Sequence, residues 1–359
     1  MVNQSSGILF VVPYPRSVAP SQRFRVELYE HVLVEAGMKY EIVSFLDADT
    51  WHILFKQGHY WEKATGIFKG FLRRIKHLWK ARKYHTIFIH REGTPMGPPI
   101  VEWILANVMG KKIIYDFDDA IWIPNITASN KLAGMLKSHW KVRYICKWAN
   151  TVTGGNKYLC DYAASYNKNV LLLPTSVDIK RYHNKIKEHG AGKPVVGWTG
   201  SHSTLFYLEE IVPVIRELQE RYEFTFLVIA DKKPEIDLTD WEFVKWSESS
   251  EIEDLLRIDI GIMPLKKDAW SEGKCGFKLI QYLSCGIPAV ADPIGVNSQI
   301  IQHGVNGYVC ETTMEWEERL GELINKPELR QQMGAKGREH IVNNYSIQSQ
   351  TEKFLNLFR

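Results

Sequence analysis

Three carboxylates stand within four residues in the run Asp116-Phe-Asp118-Asp119, directly after the apolar segment 112–115. Carboxylates this close repel one another unless a cation, a hydroxyl-rich ligand or neighbouring donors engage them. We interpret Asp118 and Asp119 as candidates for hydroxyl binding or for general acid–base work on a sugar or alcohol. The structural alternative is that these carboxylates cap a helix and form salt bridges. A divalent metal ion is a further alternative, and this one short cluster is its sole support.

A second polar loop, after a predicted strand at 86–90, reads His90-Arg91-Glu92-Gly93. Imidazole, guanidinium and carboxylate groups at a strand end can hold a polar acceptor, so His90, Arg91 and Glu92 are candidate acceptor ligands. The alternative for His90 is a core histidine whose ring nitrogens form hydrogen bonds within the protein, because histidine is often semi-buried. The sequence leaves both interpretations open.

The loop after the first predicted strand is rich in hydrogen-bond donors and leads into a predicted helix over residues 22–36. Guanidinium groups and free backbone N–H groups at a helix start bind anions, so Arg16 and Arg23 are candidates for an anionic acceptor. Arg25 is expected on the solvated face of that helix.

Two glycine-rich turns in the second half fit a phosphate group. Small residues let a phosphate approach the backbone, and a helix N-terminus adds free N–H groups and a positive dipole end. Architecture alone is the alternative for the second turn, with Gly286 capping a helix and Pro288 stopping it. The turn residues are Gly200 and Ser201 in the first, and Glu272, Lys274, Gly276, Phe277 and Lys278 in the second.

The segment Lys56–Lys83 carries nine Lys or Arg residues and one acid, Glu62. Written as a helix, it has an apolar face with a tryptophan and a basic face, which is typical of a helix on an anionic membrane. A domain helix that packs its apolar side on a sheet has the same periodicity. Nucleic acid is not an expected partner, because no nucleic-acid-binding motif accompanies the charges. The apolar face holds Ile67, Phe68, Phe71, Leu72, Ile75, Leu78 and Trp79, and the basic face Lys69, Arg73, Arg74, Lys76 and Lys80.

Strand-like and helix-like segments alternate along the chain, stop at a polar stretch, and then alternate again. Such alternation predicts parallel sheets covered by helices, and 359 residues are too many for one ordinary core. We therefore predict two doubly wound α/β domains, whose sites lie at the carboxyl ends of the strands. The predicted boundaries are a first domain at 1–178, a linker at 179–193, a second domain at 194–340, and a C-terminal helix at 341–359 that packs back towards the first domain.

Bulk composition excludes several classes of protein. The five cysteines are scattered without Cys-x-x-Cys spacing, which argues against zinc and against a disulfide framework. No run of 18 apolar residues could span a membrane. The first residues lack the pattern of a secretory signal, so a cytoplasmic location is expected. A nicotinamide oxidoreductase is disfavoured, because no Gly-x-Gly-x-x-Gly follows the first strand.

The second half resembles a known family. The run DIGIMPLKKDAWSEGKCGFKLIQYLSCGIPAVADPIGVNSQIIQHGVNGYV and the ending LRQQMGAKGREHIVNNYS are similar to the C-terminal domain of family-four glycosyltransferases. The resemblance spans most of residues 195–345. It is weaker over the first half, where SQRFR, IHREGTP and DFDDAIW look like one branch of that family. It implies the GT-B fold, with two Rossmann-like domains facing a central cleft.

Carried over by position, the resemblance marks a divergent branch. The family's glutamate that holds the donor ribose falls on Gln281, and its sugar-binding glutamate falls on Gly273, next to Glu272. The usual Glu-x7-Glu pair is therefore absent. Lys274 or Lys278 would supply the positive charge that the family places after the strand at 195–198.

The function implied by the resemblance is transfer of a sugar from a nucleoside diphosphate sugar, with retention, to a lipid-linked or surface-glycan precursor. Asp118 and Asp119 would lie near the reacting sugar. No metal or other cofactor is expected, because a helix N-terminus and a lysine can stabilise the leaving diphosphate. The alternative is a non-catalytic scaffold or sugar-nucleotide sensor in a glycan-assembly complex. The implied donor site comprises Gly200, Ser201, Glu272, Lys274, Gly276, Phe277, Lys278 and Gln281, and the acceptor site Arg16, Arg23, His90, Arg91 and Glu92.

Overall fold

The computed structural model describes residues 7–54, 56–124 and 137–359. The chain divides into two compact units, which we call unit 1 (residues 1–175 with Thr351–Arg359) and unit 2 (Ser176–Gln350). Each unit contains one six-stranded parallel sheet with helices between its strands. The predicted α/β class is confirmed. None of the helices in the described ranges has both the length and the apolar composition that crossing a membrane requires.

The sheet of unit 1 has the strand order β2-β1-β3-β4-β5-β6, and all five neighbouring pairs are parallel. Its central strands are apolar runs that are buried throughout, as expected for a parallel sheet with helices on its faces. The strands are β1 (Ile8–Val12), β2 (Tyr40–Ser44), β3 (Thr86–His90), β4 (Lys112–Phe117), β5 (Thr151–Gly154) and β6 (Val170–Leu172).

The helices of unit 1 connect these strands. They are α1 (Pro20–Arg25), a 3₁₀ turn (Glu27–Tyr29), α2 (Glu30–Glu35), α3 (Ala48–Leu54), α4 (Tyr60–Ala81), α5 (Ile100–Trp103) continued by a π-helical turn (Ile104–Val108), α6 (Lys141–Trp148) and α7 (Lys157–Ala164).

The single helix predicted over residues 22–36 is wrong in detail. Val26 leaves the helical conformation, with φ −128° and ψ −59°, and separates α1 from the 3₁₀ turn that leads into α2. The expectation for Arg25 is also wrong, because its side chain is 1% exposed and forms an ion pair with Asp116. Arg25 therefore points into unit 1 rather than to solvent.

Helix α4 packs on unit 1 through glycines. A Cβ at Gly66 would lie 2.2 Å from Thr50 Oγ1, and one at Gly70 would lie 2.6 Å from a ring carbon of Phe45. Arg74, on the same side of the helix, is buried and donates to the backbone carbonyls of Val12, Val43 and Gly93. The predicted assignment of residues to two helix faces is therefore wrong for Arg74, which lies on the inward face and not on a solvated basic face.

Arg73 is likewise not a free surface cation. Its guanidinium donates to Phe45 O at 2.8 Å and pairs with Asp47 at 2.6 Å. The buried residues of α4 are Gly66, Gly70, Arg74 and Ala81, whereas Phe68, Leu72, Ile75 and Trp79 of the predicted apolar face are exposed.

The sheet of unit 2 has the order β12-β11-β10-β7-β8-β9, again with parallel pairs. Trp198 of the central strand β7 is fully buried in the core between this sheet and its helices. The strands are β7 (Val195–Gly200), β8 (Thr225–Ala230), β9 (Trp241–Lys245), β10 (Ile260–Met263), β11 (Ala289–Ala291) and β12 (Gly307–Val309).

The helices of unit 2 follow the same alternation. After β7 comes a 3₁₀ turn (His202–Tyr207), which leads into the first of them. They are α8 (Leu208–Gln219), α9 (Glu251–Leu255), α10 (Ala269–Glu272), α11 (Phe277–Ser284), α12 (Asn297–Ile300), α13 (Thr313–Asn325) and α14 (Pro327–Asn344). The last helix, α15 (Ile347–Asn356), begins in unit 2, and its residues from Thr351 onward belong to unit 1.

Two segments near the unit boundaries make specific contacts. Within unit 2, Arg338 donates to His183 O at 2.8 Å and Lys187 donates to Leu256 O at 2.9 Å, so the stretch 179–193 lies against that unit. Within unit 1, the ring of Phe354 near the end of α15 stacks on Tyr29, with ring centroids 4.0 Å apart.

Candidate functional site

The turn after β7 is shaped by a buried indole. A Cβ at Gly200 would lie 2.2 Å from Trp198 Cη2, so a side chain at this position would collide with the tryptophan ring. Thr199 N–H donates to the hydroxyl of Tyr282 on α11 at 2.9 Å. Ser201 caps the 3₁₀ turn through a reciprocal capping box with Thr204. The backbone at the carboxyl end of β7 is therefore fixed and free of side-chain bulk.

A second fixed turn precedes α11. Asp268 caps the short helix α10 by accepting from Ser271 N–H at 2.7 Å. The chain then reaches Gly276 at φ +64°, where a Cβ would lie 2.2 Å from Ile300 Cδ1. Because that conformation is strained for other residues, glycine is required here on two grounds. At the far end of α11, Gly286 at φ +72° lets the chain leave the helix.

The two turns lie side by side. Tyr207, at the end of the 3₁₀ turn after β7, bonds through its hydroxyl to Ser271 Oγ at 2.8 Å. Lys278, in the first turn of α11, has its Nζ 5.1 Å from the ring centroid of Trp198. Lys274 Nζ lies 4.8 Å from the ring centroid of Trp270. One edge of the sheet therefore combines a helix N-terminus, two glycine turns and two lysines, which is the chemistry of an anion site.

Glu272 has a structural contact at this edge. Its Oε2 accepts from the backbone N–H of Gly295 at 3.0 Å. Gly295 itself has φ +59°, and a Cβ there would lie 3.0 Å from Glu272 O. The carboxylate thus holds the glycine turn that follows β11 against the end of α10.

Gln281 is 4% exposed, and its Nε2 lies 3.4 Å from Glu251 Oε1. Glu251, at the start of α9, also accepts from Trp246 Nε1 and from the hydroxyl of Tyr182, each at 3.0 Å. A carboxylate therefore stands beside the neutral amide. Sequence reasoning missed Glu251, because no spacing pattern links positions 251 and 281.

Asp292, just after β11, is a half-buried acid whose pKa is shifted upward. Burial raises its pKa to about 6, against hydrogen bonds from Leu265 N–H at 2.7 Å and Trp316 Nε1 at 3.3 Å, which lower it. The carboxyl therefore takes up a proton more readily than an ordinary aspartate.

In unit 1, Asp116 is the centre of a buried polar network at the strand ends. Its carboxylate forms an ion pair with Arg25 and hydrogen bonds with His90 Nδ1 at 2.8 Å and Thr153 Oγ1 at 2.6 Å. Burial acts to raise the pKa of Asp116, but Arg25 and His90 outweigh it and hold the pKa well below its usual range. Of the three predicted carboxylates, this one is wholly engaged within the protein.

His90 is also fully buried and bonds through Nε2 to Ser21 Oγ at 3.3 Å. The imidazole thus links the Asp116 network to a hydroxyl at the start of α1. Any contact of His90 with a ligand would have to pass through such a neighbour.

Arg91 joins the two predicted loops of unit 1. The residue has φ +59°, and its Nε donates to Asp118 Oδ1 at 2.8 Å while NH2 lies 3.8 Å from Asp119 Oδ2. Burial opposes ionisation of Asp118, but the Arg91 charge prevails and lowers the pKa of the carboxyl. Asp118 is therefore held as a carboxylate.

The remaining predicted acceptor ligands also belong to unit 1. Glu92 pairs with the buried Lys141 at 2.7 Å. Arg16 is exposed and pairs with Glu30. Arg23 is buried, with its guanidinium carbon 5.1 Å from the ring centroid of Phe24. The structure thus brings Arg91, Asp118 and Asp119 together.

Among the described residues, no group of three or more His, Cys, Asp or Glu side chains is arranged to hold a metal ion.

Two six-stranded parallel α/β units make up the GT-B fold. Similar solved structures agree on the fold. Sucrose-phosphate synthase from Thermosynechococcus elongatus superposes with a TM-score of 0.71 at 13% identity, covering 99% of this chain and 98% of that one. Anabaena HepE, solved with UDP and glucose, has a TM-score of 0.65 at 12% identity, covering 98% of this chain and 99% of that one.

Residues 183–340 match the family described as glycosyl transferases group 1, and the resemblance expected from the sequence is confirmed. An uncharacterised glycosyltransferase of Methanocaldococcus jannaschii, MJ1178, is 24% identical over 235 residues, which are 60% of this chain and 63% of that protein. The chain spans less than two thirds of the length of the curated relatives it matches.

Proposed function

We propose that the protein transfers a sugar from a nucleoside diphosphate sugar to an acceptor. One observation carries the proposal: in unit 2 the Gly200–Ser201 turn, the N-terminus of α11 and Lys278 meet at one edge of the sheet. The match of residues 183–340 to a glycosyltransferase family supports the same reading.

The leaving nucleoside diphosphate develops most of the negative charge in such a transfer. Backbone N–H groups at the start of α11 and beyond Gly200 are preorganised donors, and the helix dipole adds partial positive charge. Lys278 supplies a full charge, with Lys274 close by in sequence. In this proposal no metal is required, because the charge is met by the chain itself.

Gln281 would bind the donor ribose as a neutral hydrogen-bonding group. The carboxylate of Glu251, 3.4 Å from the Gln281 amide, supplies an acceptor of the kind that ribose hydroxyls require. Glu272, which holds the Gly295 turn, would act on the donor sugar mainly by fixing that turn. Phe277 opens α11 and would line the same site.

In unit 1 we assign Asp118 and Asp119 to the region of the reacting sugar. Because Arg91 keeps Asp118 ionised, its role would be to stabilise positive charge on the sugar in the transition state rather than to donate a proton. His90, Arg91, Glu92, Arg16 and Arg23 would serve the acceptor, directly or by holding the loops. We propose retention of configuration.

For the donor base we propose uridine as the first candidate, since HepE was solved with UDP. For the acceptor we propose a lipid-linked or surface-glycan precursor, met by a cytoplasmic protein at a membrane surface.

A non-catalytic scaffold or sugar-nucleotide sensor is the second candidate. It is favoured by Gly273 and Gln281 at the two positions where the family resemblance expects glutamates. The two candidates differ in turnover and not in nucleotide binding.

Release of nucleoside diphosphate from UDP-, GDP- and ADP-sugars, with a bacterial lipid extract as acceptor source, separates the candidates. The enzyme proposal expects release with one donor, and a loss of about tenfold or more in Lys278→Ala. Lys267→Ala, an exposed lysine of the same unit, is the control. Tight nucleotide binding without release from any donor would favour the scaffold.

A further inference from the structure

The orientation of α4 on unit 1 is fixed by its packing contacts. Glycines 66 and 70 approach Thr50 and Phe45 too closely for any other side chain, and Arg74 is fixed by three backbone carbonyls. Rotating the helix would bury side chains where only glycine fits and would strip Arg74 of its acceptors. The inward side of α4 is therefore determined.

The opposite side of α4 is apolar and faces solvent. Five large side chains recur along it at helical spacing over 19 residues, from Trp61 to Trp79, which is a rise of about 27 Å. Isolated exposed apolar residues are common, but a continuous ridge marks an interaction surface. These ridge residues, with their exposed fractions, are Trp61 (86%), Phe68 (62%), Leu72 (44%), Ile75 (53%) and Trp79 (64%).

Positive charge borders this ridge. Lys69, Lys76 and Lys80 follow one another along the flank of the helix next to the ridge, and Lys69 and Lys76 are exposed. Arg82 and Lys83, directly after α4, are also exposed, and the ring of Trp79 lies 4.1 Å from the Arg82 guanidinium carbon. A protein partner of mixed charge would not need this arrangement, whereas an anionic lipid surface matches both the ridge and its cationic border.

We propose that α4 is a membrane-docking helix that lies in the interface of an anionic lipid bilayer. The ridge residues insert between acyl chains, with Trp61 and Trp79 at the two ends of the ridge at headgroup depth. Lys69, Lys76 and the cations after the helix contact lipid phosphates. This surface belongs to unit 1 alone, so the proposal does not depend on sugar transfer.

Sedimentation with vesicles tests the ridge. The wild-type chain, without nucleotide, should bind vesicles of phosphatidylcholine with phosphatidylglycerol and bind vesicles of phosphatidylcholine alone much more weakly. The triple variant Phe68→Ser, Leu72→Ser, Ile75→Ser should lose at least about tenfold in partition coefficient, since each side chain gives up its apolar burial. Its thermal stability should be unchanged because the three residues are exposed.

A matched control comes from apolar residues that are equally exposed elsewhere. Val34, Val108 and Met314 are 64%, 64% and 78% exposed. The triple change of these residues to serine should leave vesicle binding intact. Equal losses in both triple variants would overturn the proposal, because any exposed apolar group would then suffice.

The charged border has its own pair of variants. Lys69→Glu with Lys76→Glu should weaken binding to phosphatidylglycerol vesicles by at least about 20-fold. Lys232→Glu with Lys267→Glu, two exposed lysines of unit 2, should leave it nearly unchanged.

Two results would contradict membrane docking. The first is wild-type protein that does not sediment with anionic vesicles. The second is wild-type protein that forms a dimer in solution which the ridge triple variant converts to monomer, because a second copy would then cover the ridge. Nucleotide binding, measured on the same preparations, reports on the proposed function separately.

Discussion

The acidic residues at the carboxyl edges of the two sheets have different partners. In unit 1 the buried Asp116 is met by Arg25, His90 and Thr153, so the positive charge is used within the protein. In unit 2 the half-buried Asp292 accepts hydrogen bonds from the neutral donors Leu265 N–H and Trp316 Nε1 and has a raised pKa. Lys274 and Lys278 lie over indole rings at the glycine turns.

This difference indicates a division of work between the units. A strand edge whose charges are mutually satisfied is a rigid framework on which neighbouring loops can be held, as Arg91 holds Asp118. A strand edge with lysines, small residues and a helix N-terminus offers stabilisation to an anion that comes from outside. We therefore expect substitutions in unit 1 to act first on stability and those in unit 2 on ligand binding.

The largest effect is expected for Asp116→Asn. Removing the carboxylate charge leaves the Arg25 guanidinium buried without its counter-charge, which costs about 3–5 kcal/mol of folding free energy. Urea denaturation of the purified protein measures this loss. Asp161→Asn is the control, because Asp161 pairs with Lys157 on the surface of the same unit. Similar midpoints for both variants would show that the Asp116 network is not a framework.

Asp292→Asn tests the electrostatics of unit 2, where the pKa of Asp292 is raised whereas that of Asp116 in unit 1 is lowered. The folded-state pKa of Asp292, about 6, lies above its ordinary value of 3.8, so the folded state binds the proton more tightly than the unfolded state. The contribution of this group to stability is present at low pH and falls as the pH rises from about 4 to 6. The variant should therefore gain up to about 3 kcal/mol on the wild type across that window. Parallel pH profiles of the two unfolding free energies would contradict the assignment.

Gly276→Ala and Gly304→Ala form a matched pair in unit 2. Both glycines have positive φ, +64° and +77°, but a Cβ at Gly276 would collide with Ile300 whereas Gly304 has open space. Gly304→Ala should cost about 1 kcal/mol of stability from backbone conformation, and Gly276→Ala about 2 kcal/mol more from the clash. Nucleotide binding should weaken only in Gly276→Ala. Calorimetric melting with and without UDP measures both effects.

Lys278→Ala should affect binding with little change in stability. Loss of one charge on a diphosphate weakens nucleotide affinity by about tenfold, or about 1.4 kcal/mol. Unchanged affinity in this variant would move the diphosphate away from the edge at which the two glycine turns meet.

The fold was predictable because its signals are local. Buried apolar runs gave the strands, and glycines before a helix start gave both turns of unit 2. The prediction leaves the orientation of α4 open between an exposed and a packed apolar face, and it wrongly places Arg74 on the solvated basic face. Gly66, Gly70 and Arg74 recur every four residues, and this stripe would have indicated the inward side.

Contacts between distant positions could not be predicted in the same way. Arg25 and Asp116 are 91 residues apart, and Gln281 and Glu251 are 30 apart, with no motif that joins either pair. Only the order of the strands and the break after α1 bring Arg25 to Asp116. Long-range polar pairs of this kind depend on tertiary packing rather than on local sequence.

Isothermal titration of the wild-type protein with UDP, GDP and ADP, repeated on Lys278→Ala, tests whether this edge of unit 2 binds a nucleotide-sugar donor. We predict saturable binding of one nucleotide at one site per chain, with affinity about tenfold weaker in the variant and unchanged in Lys267→Ala. Absence of binding by all three nucleotides, or equal affinity in Lys278→Ala, would contradict the assignment of this edge of unit 2 to a nucleotide-sugar donor.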